Sequence, residues 1–198
     1  MTSMNRRGLL ALGTLAAGTL AIPGARAQSL RTIADTLAGD NRFARFLDLV
    51  TRATAVETFR EPGPITVFAP VDEAFTGAPA GLLQDLLSQS YGRGSDTAGD
   101  ASNRQRWLAL INYHVVPGAF DVAQLGGADR RLRTLNGGDI QISSTGGTMR
   151  VTNPAPAQQL SAVGSLGANV SAAPAQLVGS PISASNGVIY PINQILFP

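Results

Sequence analysis

Helical and strand periodicities occupy different parts of this 198-residue chain. Phe43, Phe46, Leu47 and Val50 recur at i, i+3, i+4 and i+7, the spacing that places apolar side chains on one face of a helix. Beyond Arg131 the segments DIQIS and TMRVT alternate polar and apolar residues with a period of two. Asn136-Gly137 and Gly146-Gly147, beside them, are pairs that favour hairpin turns. Helices that come mainly first and hairpins that come last predict an α+β domain rather than alternating βαβ units.

The remaining segments fit that order. Ser29 stands where it can cap a first helix bearing Leu30, Ile33, Ala34 and Leu37, with Gly39 as its stop. ITVFAP, residues 65–70, predicts a buried strand that Pro70 ends. DEAF begins a short helix, and Leu82, Leu83, Leu86 and Leu87 predict another after Pro79. Residues 90–105 are polar and Gly-rich and predict an exposed loop. Trp107, Leu108 and Ile111 then share a helical face that leads into YHVV, whose β-branched residues predict a strand closed by Pro117-Gly118. Residues 154–167 predict a connection rich in Pro, Ala, Ser and Gly. No repeat of about 20 to 50 residues is visible, which argues against a solenoid or propeller.

The first 27 residues predict a cleaved export signal. Arg6 and Arg7 precede an apolar run from Gly8 to Ile22, and Ala25 and Ala27 supply the small residues of an A-x-A cleavage site. The paired arginines also resemble a twin-arginine signal. The run is too short, and too rich in Gly, Ala and Thr, for a comfortable membrane span of about 20 residues. Residues 28–198 are therefore expected to form the single mature domain, with no stable membrane span, in the periplasm or outside the cell.

That cleavage changes the charge balance. The 15 basic residues are all arginine, and three of them, Arg6, Arg7 and Arg26, lie in the signal. The mature chain is then close to neutral, which argues against a nucleic-acid partner.

The chain offers little for catalysis. It has no cysteine and one histidine, His114, and no lysine. Thiol chemistry, a zinc ribbon, a Walker loop and a Schiff base all lack their essential residue. A hydrolase would have to recruit His114 as its base, yet no serine sits in a G-x-S-x-G elbow. Asp96 and Asp100 lack the other ligands of a calcium loop, so no metal site is expected. Arg130, Arg131 and Arg133 could meet phosphate or an acidic polysaccharide; a solvated turn and strand edge is the plainer reading.

Three stretches, in this order, resemble the fasciclin domain family: TVFAPVDEAF (66–75), YHVVPG (113–118) and NGVIYPINQILFP (186–198). The helical lead-in also resembles the family, so the likeness spans the mature chain. The resemblance implies a wedge of two β-sheets, about seven strands in all, with several helices packed along one side. Two positions depart from the pattern. Tyr190 stands where a histidine is usual, and Val71 stands where Thr or Ser is usual, which leaves Asp72 to cap the following helix.

The family's members are mostly secreted or surface proteins of adhesion and matrix contact, not enzymes, and some bind hydrophobic pigments such as carotenoids. The resemblance thus implies an exported, non-catalytic binding module with no cofactor and a protein or polysaccharide partner. Tyr113, His114 and Val115 are its candidate contact residues, and their other reading is a core segment with a hydrogen-bonded histidine. Thr66, Phe68, Pro70, Asp72, Phe75, Asn186, Gly187 and Tyr190 are the structural motif positions. A carrier of a hydrophobic small molecule, a carotenoid or a lipid, is the alternative; a hydrolase using His114 is the third reading.

Overall fold

A computed structural model describes residues 31–76, 97–126, 129–145, 148–153 and 174–198. The expected export signal, the helix expected after Pro79 and the connection at 154–167 lie outside the described residues.

Helices α1 (Ile33–Ala38) and α2 (Ala44–Arg52) open the domain, as the periodicity predicts. The N-cap of α1 is Thr32 and not Ser29: the Thr32 hydroxyl accepts the Asp35 N–H at 3.2 Å, and Gly39 closes the helix. A capping side chain must sit immediately ahead of the N–H groups it satisfies, and Thr32 is the residue in that place. Phe46, Leu49 and Val50 are the buried face of α2.

Strand β1 (Ile65–Pro70) leads into the short helix α3 (Asp72–Thr76). Helix α4 spans Thr97–Tyr113, so the expected loop at 90–105 is helical from Thr97 onward. The first part of α4 carries polar residues and Gly99 with no apolar stripe, which hides it from a periodicity argument. Strand β2 (Val115–Pro117) begins two residues after α4 ends. Tyr113 is therefore helical and His114 is a joint, and the expected YHVV strand starts only at Val115.

The second half is built of strands. They are β3 (Arg130–Arg133), β4 (Asp139–Thr145), β5 (Thr148–Thr152), β6 (Ala175–Gln176), β7 (Ile182–Ala184) and β8 (Gly187–Ile192). Among the described residues the eight strands form two four-stranded sheets. One has the order β2-β1-β8-β7, with β1 and β8 parallel. The other is the antiparallel succession β3-β4-β5-β6. The fold is α+β, as expected.

Two apolar clusters meet at the first sheet. One joins Ile33, Leu37, Phe46, Phe59 and Ile111 to Val67, Ala69 and Ile189. The other joins Phe68, Tyr190 and Ile192 to Leu132, Ile140, Ile142 and Val151 of the second sheet. Successive side chains of a strand point to opposite faces, so β1 sends Val67 and Ala69 to the helices and Phe68 toward the second sheet. A strand covered on both faces must be apolar at nearly every position, and ITVFAP is.

Candidate functional site

His114 occupies the joint between α4 and β2 and is 1% exposed. Its own N–H donates to the Ile111 carbonyl at 2.9 Å, and its carbonyl accepts the Phe68 N–H at 2.9 Å. Nε2 lies 3.0 Å from the Leu196 nitrogen, and Nδ1 lies 2.8 Å from the Leu110 carbonyl oxygen. A backbone N–H can only donate, so Nε2 is the acceptor. The ring proton then sits on Nδ1 and donates to Leu110. The imidazole thereby links the last turn of α4 to the C-terminal segment, with the Phe46 ring 5.8 Å away, centroid to centroid.

Burial disfavours the charged form and pushes His114 down to about 4, although the Leu110 carbonyl works in the opposite direction. Near neutral pH the ring is uncharged and both nitrogens are engaged. A general base needs an open nitrogen lone pair within reach of the hydroxyl it activates, and His114 has spent its lone pair on Leu196. Among the described residues, no three His, Cys, Asp or Glu side chains gather to hold a metal ion.

The neighbours of His114 face inward as well. The Tyr113 hydroxyl donates to the Asp139 carbonyl at 2.9 Å and so ties α4 to the second sheet. Burial, followed by the Asp139 charge, pushes Tyr113 up to about 12. Gly138 lies against this ring, where a Cβ would stand 2.8 Å from Cε2 and force a shift. Val115 is fully buried and pairs with Val67 of β1. The three residues expected as contacts thus come together in the interior.

The first motif block fixes the start of the fold. The buried Thr66 hydroxyl donates to the Gly118 carbonyl at 2.7 Å and accepts the Phe120 N–H at 2.9 Å, pinning the turn that leaves β2. Phe68 and Phe75 are core residues, and Pro70 ends β1 opposite Ile192. Asp72 is the first residue of α3, and its Oδ1 accepts the Arg45 N–H at 2.9 Å. It serves the start of α2, where Phe43 makes no capping bond of its own. The expectation that Asp72 caps the helix following it is therefore corrected: the unsatisfied N–H it reaches is 27 positions away.

The closing block contains a clasp that sequence reasoning missed. Asn186, in the turn between β7 and β8, accepts the Ile33 N–H at 2.9 Å through Oδ1. Its Nδ2 donates to the Phe59 carbonyl at 2.9 Å and the Glu61 carbonyl at 3.0 Å. One amide so joins the α1 start, the turn before β1 and the β7–β8 hairpin. The resemblance marked Asn186 only as a motif position; its distant partners were not visible in the sequence. Gly187 pairs with Ile65, and a Cβ there would collide with the Ile65 carbonyl oxygen.

Tyr190 stacks on Phe68, with centroids 5.5 Å apart and planes 27° apart, and its hydroxyl donates to the Phe120 carbonyl at 2.9 Å. Burial, then the Asp121 charge, pushes it up to about 12. Tyr190→Phe keeps the stack and deletes one hydrogen bond. The expected loss is about 1 kcal/mol, or roughly 2–4 °C in thermal midpoint, measured by thermal unfolding followed by circular dichroism.

The surface offers a different kind of feature. An open groove of about 660 Å³ runs beside the β7–β8 hairpin, bordered by Arg60, Pro64, Ser183, Ser185, Asn186 and Val188. Its border mixes polar and apolar groups. No helix among the described residues is long and apolar enough to cross a membrane.

The sequence model of the fasciclin domain matches residues 41–198. Protein sll1483 of Synechocystis is 28% identical over 174 residues, which is 88% of this chain and 77% of that protein. The transforming growth factor-beta-induced protein ig-h3 of Oryctolagus cuniculus is 28% identical over 169 residues; these cover 84% of this chain but 19% of that much longer protein. The immunogenic protein MPB70 of Mycobacterium bovis is 24% identical over 69% of this chain and 51% of its own length. Among solved structures, a FAS1 domain pair from the insect cell adhesion molecule Fasciclin I aligns with a TM-score of 0.60 at 12% identity, covering 86% of this chain and 52% of that one.

Proposed function

The chain belongs to the fasciclin domain family, and on that premise we propose that it is an exported, non-catalytic binding module that makes adhesive or matrix contacts. The observation that carries this reading is the closed interior. The polar groups of the motif, His114, Tyr113, Thr66, Asn186 and Tyr190, each spend their hydrogen bonds on backbone groups within the domain. Such an interior supports a surface and holds no reacting group in wait. Tyr113, His114 and Val115 then act as internal supports, and the contacts belong to exposed strand faces and turns. The solved adhesion molecule of the same fold favours this reading, and the leader predicted from residues 1–27 supports export.

The test uses the chain expressed with its own leader. Intact-mass measurement of the exported protein is expected to show a chain beginning at Gln28. Surface plasmon resonance over immobilised collagen and over immobilised polygalacturonate is expected to show saturable binding to at least one of them, retained in Tyr190→Phe. A protein that binds neither surface and releases a pigment or lipid into organic solvent would replace the reading with that of a hydrophobic carrier.

A further inference from the structure

The second sheet has one apolar and one arginine-bearing face. Leu132, Ile140, Ile142, Met149 and Val151 are buried on the side toward the core. Because side chains alternate along a strand, Arg131, Arg133 and Arg150 project from the opposite side, and all three are exposed. The register places Arg131 beside Gln141, which pairs with Thr152, and Arg150 between Ser143 and Gln176. Two residues along a strand separate Arg131 from Arg133 by about 7 Å, and two strand spacings set Arg150 roughly 10 Å from the β3 row.

Three arginines of the helical half are already neutralised by neighbouring acids, whereas Arg45, Arg104 and Arg106, which close no ion pair among the described residues, lie outside the sheet. Arg42, Arg52 and Arg60 each close an ion pair with an acid within five positions, Asp40, Asp48 and Glu57. Among the described residues, Arg131, Arg133 and Arg150 close none, although Arg133 lies across from Asp139 on the neighbouring strand. Three exposed guanidinium groups that close no ion pair, set among amides and hydroxyls with Asp139 as the one acid opposite them, match a partner that carries carboxylates or sulfates and hydroxyls at regular intervals. Each guanidinium offers a planar fork of donors to such an oxyanion.

The same face argues against other polyanions. The side chains just named include no aromatic ring on which a nucleobase could stack, and none is apolar, as insertion into a lipid surface requires. We propose that the outer face of the second sheet binds an acidic polysaccharide through Arg131, Arg133 and Arg150. This deepens the binding-module reading by naming one partner class. Collagen binding that survives loss of polysaccharide binding would separate the two claims.

The experiment compares the exported chain with the triple variant Arg131→Gln, Arg133→Gln, Arg150→Gln. A second triple variant, Arg45→Gln, Arg104→Gln, Arg106→Gln, removes the same charge from exposed positions elsewhere. Probes are polygalacturonate for carboxylates, dextran sulfate for sulfates, neutral dextran, a single-stranded oligonucleotide and anionic phosphatidylglycerol vesicles. The expected result is salt-sensitive binding of the parent to one or both acidic polysaccharides and not to dextran. The sheet variant loses at least tenfold in affinity and the other triple less than threefold, with thermal midpoints unchanged. The slope of log affinity against log salt falls by roughly two in the sheet variant, since each contact with a single-stranded polyanion releases about 0.7 of a counterion. Equal losses in the two triples, no binding of the parent to either acidic polysaccharide, or tighter binding to the oligonucleotide or vesicles would overturn the proposal.

Discussion

Asn186→Ala is expected to destabilise the domain by about 3 kcal/mol, or roughly 6–12 °C in thermal midpoint. The substitution leaves the Ile33 N–H and the Phe59 and Glu61 carbonyls without the partner they share. Each such group costs about 1–3 kcal/mol when it is buried and unsatisfied, and less where water reaches it. Asn186→Asp supplies a control of the same shape. It keeps an acceptor for Ile33 and turns a carboxylate oxygen toward two carbonyls, so it too is destabilised at neutral pH and partly recovers once the acid protonates. Urea unfolding at pH 7 and pH 4 reads both effects. An alanine variant within about 0.5 kcal/mol of the parent would show that the clasp does not hold these segments.

His114→Ala is expected to cost about 4 kcal/mol at pH 7, through the cavity it opens and the two backbone groups it orphans. The penalty depends on pH in a stated direction. The unfolded histidine takes a proton near its ordinary value of 6.5, whereas the native ring resists until about 4. Between those values the unfolded chain binds the extra proton, so the His114 contribution is whole above about pH 6.5 and is lost as pH falls through about 4. At pH 4 the loss amounts to about 3 kcal/mol. The parent and His114→Ala should therefore converge to within roughly 1 kcal/mol at pH 4. A gap that stays constant from pH 7 to pH 4 would place the ring in a different environment.

The parts of the fold legible in the sequence are those set by local periodicity. ITVFAP is apolar at five of its six positions, and it becomes the strand between β2 and β8 with a cluster on each face. Alternation in DIQIS and TMRVT likewise became β4 and β5. The start of α4 was not legible, because its residues, polar or small, carry no apolar stripe. Thr32, with Asp35 three positions later, is a stronger start signal than Ser29.

The motif residues were legible as positions and not as roles. Asp72 reads as the cap of its own helix and serves another; Asn186 reads only as a motif position and joins three segments. Both roles depend on pairings 27 to 153 residues apart in sequence. Spacing rules see only neighbours. The arginine face was half visible: Arg131 and Arg133 stand together in sequence, but only the register across β4 brings Arg150 to the same side.

Because His114 is the only histidine in the chain, its two ring nitrogens report on the central claim that the motif is an internal support and not a reacting or contact group. The direct measurement is a long-range ¹H–¹⁵N correlation spectrum of the exported chain, recorded from pH 8 to pH 4. The account predicts a protonated Nδ1, an unprotonated Nε2 and no titration until the pH approaches about 4. A ring that carries its proton on Nε2, or that titrates near 6.5, would contradict it.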